Sequence, residues 1–291
     1  LTLFLKKCTK KPMKKRIAFQ GELGAYSDLA CRSAVPTYET LPCPSFDDVF
    51  AAVQNGKAEL GMLPIENSVA GRVADVHYLL PNGGLKIIGE HYQPVIHHLL
   101  ALPGAKLSDI QSVHSHVQAL SQCRNWLRER GIKPMIKRDT AGSAADIVPL
   151  ADKHIGAIAS ELAGKIYGLE SLAVDIADRK NNTTRFLILA SEQHKTEESD
   201  GPFMTTLLFR VRSVPAALYK ALGGFATNGV NITKLESYLV DGRFTAAQFY
   251  LDVEGHPQDT PLRLALEELA FFAHEVKIMG TYPAHPFRKH A

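Results

Sequence analysis

Apolar positions follow two rhythms along this chain, and their alternation predicts its elements. Residues 17–19 are a short apolar run that ends at Gly21 and reads as a buried strand. Residues 25–35 have helical spacing and residues 38–43 alternate like a strand. Ser45 is a candidate N-cap, with Asp47 and Asp48 in the first turn where carboxylates suit the helix dipole. Asn55-Gly56 stops that helix, and residues 60–65 form the next buried strand. Residues 85–102 are β-rich, and 118–130 are an amphipathic helix stopped by Gly131. Strands at 135–137, 155–159, 173–174 and 186–189 then alternate with helices at 143–151 and 161–167. Such alternation implies mainly parallel sheets with helices on both faces. The segment 85–102 is expected to carry the chain into a second lobe and back, leaving a cleft; a single larger sheet is the other option.

Residues 191–202 (SEQHKTEESDGP) are polar and without periodicity, which reads as a linker. After them come a strand at 206–211, a helix at 216–226, a strand at 230–240, the turn signal Asp241-Gly242, a strand at 244–253, a helix at 261–273 and a strand at 276–281. This βαββαβ order is ferredoxin-like, and such a small unit commonly covers an edge by pairing with a second copy.

Composition changes this picture little. The 291 residues suggest about two domains, and a net charge of +3 is too small to mark a nucleic-acid binder. The basic run between Lys6 and Arg16 reads as a solvated terminus. Met13 precedes the first strand and is a candidate start, with residues 1–12 an extension. Four scattered cysteines without a CxxC pair point to reduced thiols and a cytoplasmic protein. No run approaches the roughly 18 apolar residues of a membrane span.

Familiar cofactor and metal signals are missing. Gly21-Glu22-Leu23-Gly24 is not a dinucleotide fingerprint, and no phosphate loop is present. His97-His98 are adjacent, so a strand would turn one to the core and one to the surface. Neither a cofactor nor a metal is expected. What remains is five polar clusters, each beside a predicted strand: Gly21 to Ser27, Glu66-Asn67-Ser68, Ser115-His116 with Gln118, Asp139 to Ser143, and Asn182 to Phe186. In open α/β sheets ligands gather at strand ends, where helix N-termini offer N–H donors to anions. Each cluster taken singly could equally be a capped helix or a turn.

Taken together, the runs GELGAYS (21–27), PIENS (64–68), SHVQAL (115–120), DTAGSA (139–144) and NTTRF (182–186) closely resemble prephenate dehydratase, in that family's order. The resemblance spans residues 16 to 283. It implies an α/β fold, with a two-lobed, periplasmic-binding-protein-like (type II) catalytic domain over 15–191. It further implies a linker at 192–203, a ferredoxin-like βαββαβ ACT domain over 204–283 and a tail at 284–291, after an N-terminal extension at 1–14. The implied reaction turns prephenate into phenylpyruvate, water and carbon dioxide. It needs no cofactor, because aromatisation of the ring drives it.

The same resemblance makes Thr184 the catalytic residue, interacting with the leaving hydroxyl as a positioned donor. It implies that Asn67, Ser68, Ser115, Thr140 and Ala141 (through its N–H) bind substrate, with His116, Gln118, Thr183 and Phe186 beside them. His116 has the alternative of capping its helix. Glu66 is awkward next to a dianion and is expected to orient donors from behind. Arg185 either pairs with a substrate carboxylate or serves structure, since neighbouring strand residues face opposite sides.

In the ACT domains of this family two motifs form a phenylalanine site. Here they read Pro215-Ala216-Ala217-Leu218, with Ala216 for a glycine, and Glu236-Ser237-Tyr238-Leu239, with Tyr-Leu for Arg-Pro. Asn231, Leu218, Glu236 and Ser237 are retained. Feedback by L-phenylalanine is therefore expected, against the option of a module kept for assembly into homodimers or tetramers. Arogenate dehydratase is the near alternative function, and a non-catalytic solute-binding protein the remote one.

Overall fold

The computed structural model describes residues 15–192, 201–212, 214–239 and 246–289. The expected N-terminal extension, most of the linker, Cys8 and the Asp241-Gly242 turn lie outside them.

Ile17, Ala18 and Phe19 are inaccessible to solvent, as an uninterrupted apolar run demands of a strand covered on both faces. Strand β1 (Arg16–Gln20) leads through helix α1 (Tyr26–Ala34) to β2 (Glu39–Cys43), then through α2 (Phe46–Gln54) to β3 (Leu60–Asn67). Ser45 caps α2 as its sequence suggests, accepting the Asp48 N–H at 3.2 Å. A short strand β4 (Gly71–Arg72) and helix α3 (Ala74–Leu79) follow, then β5 (Lys86–Pro94).

There the chain leaves its first sheet. It passes to β6 (His98–Ala101), β7 (Ser112–His116), α4 (Val117–Gln122), α5 (Arg124–Glu129), β8 (Lys133–Lys137), α6 (Thr140–Ile147), β9 (Ile155–Ala159), α7 (Glu161–Tyr167) and β10 (Glu170–Ala173). Strand β11 (Thr183–Ala190) brings it back. The first sheet has the order β2-β1-β3-β11-β5, with β4 on β3; the second is β10-β6-β9-β7-β8.

Both sheets are mixed, which corrects the expectation of mainly parallel ones. β1 pairs in parallel with β2 and β3, but the returning β11 runs antiparallel to β3 and to β5. This reversal has a consequence for chemistry: the start of β11 meets the end of β3, with Thr184 opposite Asn67. The expected helix over 118–130 also breaks in two at Cys123. His97 and His98 are both buried, at 2% and 8% exposure, so neither is the surface histidine expected.

The remaining elements are β12 (Phe203–Val211), α8 (Ala217–Thr227), β13 (Ile232–Leu239), β14 (Ala246–Glu254), α9 (Thr260–Phe272) and β15 (Ala273–Pro283). They form an antiparallel sheet β13-β14-β12-β15. One core holds it to α8 and α9. Its other face joins the first sheet, where Met204, Leu208, Tyr250, Met279 and Tyr282 pack with Leu187, Leu189 and Ile87. The approach is close enough that a Cβ on Gly280 would lie 2.0 Å from the Ile87 carbonyl oxygen. The C-terminal residues dock as well: Phe287 stacks on Tyr92, and Arg288 holds Glu90 at 2.6 Å. Among the described residues no helix is long and apolar enough to cross a membrane.

Candidate active site

Strand ends from both sheets border one cavity of about 520 Å³. Its walls include Asn67, His116, Gln118, Thr140, Thr184 and Phe186 from the expected set, together with Gln20, Gly21, Tyr26 and Ser27. Each arrives for a local reason. Asp139 caps α6 by accepting the Gly142 N–H, which fixes Thr140 at the helix start. His116 Nδ1 accepts the Gln118 N–H at 3.3 Å, so this histidine does cap its helix while still facing the cavity. Thr184 reaches the cavity because alternate residues of β11 face opposite sides.

The Asn67 side chain has only one orientation open to it. Its Oδ1 accepts the backbone N–H groups of Val69 and Ala70 at 2.9 and 2.8 Å. The amide nitrogen must then point the other way, and it donates to Thr184 Oγ1 at 2.9 Å and to Asn182 Oδ1 at 2.7 Å. Asn67 therefore acts on Thr184 as well as lining the cavity. Because the Thr184 oxygen already accepts, its own proton is left to donate.

Several expected contacts are redirected. Ser68 and Thr183 line a neighbouring cavity of about 950 Å³ instead, and Ser68 Oγ bonds the Asn181 carbonyl at 3.0 Å. Ser115 is fully buried and donates to the Ile158 carbonyl at 2.6 Å, joining β7 to β9. Ala141 is fully buried in the core behind Thr140.

Arg185 makes the contacts of the structural option. Its side chain is 3% exposed, and its nitrogens bond Glu90 at 2.8 Å, Asp252 at 2.6 Å, Glu66 at 3.0 Å and the Tyr282 hydroxyl at 3.0 Å. Four of its five N–H donors are thus taken up inside the protein, which is the structural role of the two expected of it. Burial alone raises the Asp252 carboxyl, yet Arg185 and the Thr206 hydroxyl outweigh it and hold Asp252 below its ordinary range. Glu66 is shared between Arg185 and Lys234, the latter at 2.6 Å, so it braces Arg185 rather than the cavity donors.

A cation does reach the cavity, at a place sequence reasoning passed over. Arg138 borders it, 3.5 Å from Glu22 and 3.6 Å from Asp139, with most of its side chain exposed. The signal was a cation directly before the helix cap of the DTAGSA run. Among the described residues no group of His, Cys, Asp and Glu could hold a metal.

A third cavity, of about 840 Å³, lies on the C-terminal sheet and is lined by Pro215, Ala216, Ala217, Leu218, Leu235, Ser237 and Phe249. Ala216 sits there in the left-handed region (φ 59°), a conformation that explains why glycine suits the position. Glu236 and Asn231 do not line this cavity. Glu236 points the other way to Lys234 and Arg72, and Asn231 is exposed and accepts the Glu254 N–H through its carbonyl. Tyr238 likewise turns away from it and hydrogen-bonds His77, whose pKa burial pushes down to about 4.

With this geometry in place, comparison with known proteins is decisive. The prephenate dehydratase family profile matches residues 17–194. The chain belongs to the prephenate dehydratase family. Its members are lyases that dehydrate and decarboxylate their substrate. A bifunctional N-acyl-homoserine lactone acylase/prephenate dehydratase of Komagataeibacter europaeus is 54% identical, over 94% of this chain and 97% of the relative. Arogenate dehydratase/prephenate dehydratase 1, chloroplastic, of Arabidopsis thaliana is 41% identical, over 93% of this chain and 72% of the relative. Among solved structures, prephenate dehydratase from Arthrobacter aurescens in complex with L-Phe is 30% identical. It superposes with a TM-score of 0.84 over 92% of this chain and 90% of that one.

Proposed function

We propose that this protein converts prephenate to phenylpyruvate, water and carbon dioxide, with Thr184 assisting departure of the ring hydroxyl. The observation that carries this reading is the one-way hydrogen bond from Asn67 Nδ2 to Thr184 Oγ1. It leaves the Thr184 O–H as a donor aimed at a group that gains negative charge. In the reaction the bond to the departing carboxylate breaks, its electron pair enters the ring, and the C–O bond breaks with its pair on oxygen. That oxygen then takes a proton. A donor that tightens as this charge develops stabilises the transition state more than the ground state, which is what accelerates a step. Arg138 is a cation for a substrate carboxylate, and Ser27, Gln118 and Thr140 supply polar contacts around the dianion.

Residues 15–191 form the two-lobed catalytic domain on this reading, the two sheets being its lobes, and 204–283 form an ACT domain. The βαββαβ order and the cavity beside Ala216 support that assignment. L-phenylalanine is the effector proposed for the cavity, since a relative of the same fold is described in complex with it. Modules pair into dimers or tetramers, with exposed Tyr219 and Phe271 on their helices. A cytoplasmic location stays the expectation from its cysteines.

The assay is phenylpyruvate absorbance from prephenate and phenylalanine formation from arogenate, run side by side. The reading requires a higher kcat/KM for prephenate; a higher value for arogenate selects the activity named in the plant relatives. Adding L-phenylalanine up to millimolar should lower turnover, and a flat response removes the regulatory claim. The Komagataeibacter relative's name supports a second reading, hydrolysis of N-acyl-homoserine lactones. Release of free homoserine lactone tests it directly.

A further inference from the structure

The hydrogen bonds that orient Thr184 do not stop at Asn67. Asn182 Oδ1 accepts from Asn67, so its amide nitrogen must donate, and it does so to Gln122 Oε1 at 2.9 Å. The same Gln122 oxygen lies 2.7 Å from His97 Nε2, which requires Nε2 to carry the proton. Burial keeps the imidazole neutral by pushing its pKa down, leaving Nδ1 as an acceptor 2.9 Å from the Tyr26 hydroxyl. Tyr26 divides its single proton between that nitrogen and the Ile96 carbonyl at 2.8 Å. The bonds thus converge on Gln122 Oε1, from His97 on one side and from Asn67 through Asn182 on the other, while Asn67 also donates to Thr184.

The chain of bonds also follows the places where the polypeptide crosses between sheets. His97 lies between β5 and β6, and Asn182 between β10 and β11. Gln122 ends α4, which belongs to the second sheet, while Asn67 and Thr184 belong to the first. A backbone bond from Val95 N–H to the Asn182 carbonyl, 2.8 Å, ties the two crossings together.

We infer that His97 is a positioning residue for the dehydration, holding Gln122 and Asn182 so that Asn67 keeps the Thr184 hydroxyl aimed into the cavity. His97 is 2% exposed and does not need to touch substrate to do this. Its two ring nitrogens have separable jobs, one toward Gln122 and one toward Tyr26.

The inference rests on Thr184 being the reacting donor, and the test separates the two claims. Two polar variants of the full chain are compared in prephenate turnover. In His97→Gln the longer amide can place an N–H where Nε2 was and still donate to Gln122. In His97→Asn the shorter amide keeps only the Tyr26 side. His97→Asn should lower kcat roughly tenfold with KM within about twofold, and His97→Gln should recover most of it. In a Thr184→Val background the His97→Asn change should have no further effect on the residual rate. Equal kcat for both variants and wild type, a change confined to KM, or an undiminished loss in the Thr184→Val background would each overturn the role of His97. Full activity of Thr184→Val alone would instead remove Thr184 itself.

Discussion

Replacing Arg185 by methionine separates a structural guanidinium from one that binds substrate. The side chain fits by length, but the charge shared by Glu90, Asp252 and Glu66 is gone. The Glu90 and Asp252 side chains have no solvent exposure, whereas Glu66 is 31% exposed and its loss counts for less. Removing one partner of a buried ion pair costs about 3–5 kcal/mol, because the remaining charges stay uncompensated. Set against a typical stability of about 5–15 kcal/mol, the variant should fold but melt on the order of 10 °C lower. Arg185→Lys keeps the charge without the planar fork and should fall between the two. Thermal melting and urea titration, with prephenate kinetics at 20 °C on the folded fraction, form the assay. If Arg185→Met melts within about 2 °C of wild type while KM rises sharply, the guanidinium binds substrate and the reasoning here is wrong.

Three further outcomes follow from the same contacts. Asn67→Asp replaces the donating nitrogen by an oxygen that accepts, so Thr184 must donate to it instead of to substrate; kcat should fall about 10²–10³-fold, and a loss under threefold would refute the directed bond. Asp252, Glu90 and Glu66 are all held below the ordinary carboxylate range despite burial, through Arg185, Arg288 and Lys234. Depressed folded-state values stabilise the fold above the unfolded pKa of about 4 and lose that stability as pH falls through them, so urea midpoints should drop between pH 5 and pH 3. Midpoints unchanged across that window would contradict the ion network. Gly24 has φ +89°, and a Cβ there would lie 2.7 Å from Ala163 Cα, so Gly24→Ala should destabilise by about 1–3 kcal/mol, read as a lower melting temperature.

Much of the fold was legible because burial on two faces leaves long apolar runs, as at Ile17 to Phe19 and Leu60 to Ile65. The cap at Ser45 was legible for a similar reason, since one side chain and one N–H settle it locally, whereas the helix expected from residue 143 begins at Thr140, behind an Asp139 cap that went unread. Strand direction was not, because nothing within residues 183–190 says that β11 returns antiparallel. That reversal is what brings Thr184 to Asn67. Residues 71–79 went unread, although β4 and α3 border the cavity. Arg185 was ambiguous for a related reason: a strand shows that it faces away from Thr184, but its partners Asp252 and Tyr282 come from 67 and 97 residues away. The chain of side-chain bonds through His97 was invisible, because Tyr26, Asn67, His97, Gln122 and Asn182 come from five separate segments.

The central claim is that Thr184 supplies the hydrogen bond that helps the hydroxyl leave. Its most direct test is the rate of phenylpyruvate formation in a single turnover of prephenate by Thr184→Val, whose methyl keeps the shape and removes the donor. The account predicts a native melting temperature and a rate lower by about 10²-fold or more, with Thr184→Ser retaining part of it. A folded Thr184→Val protein turning over prephenate at the wild-type rate would contradict it.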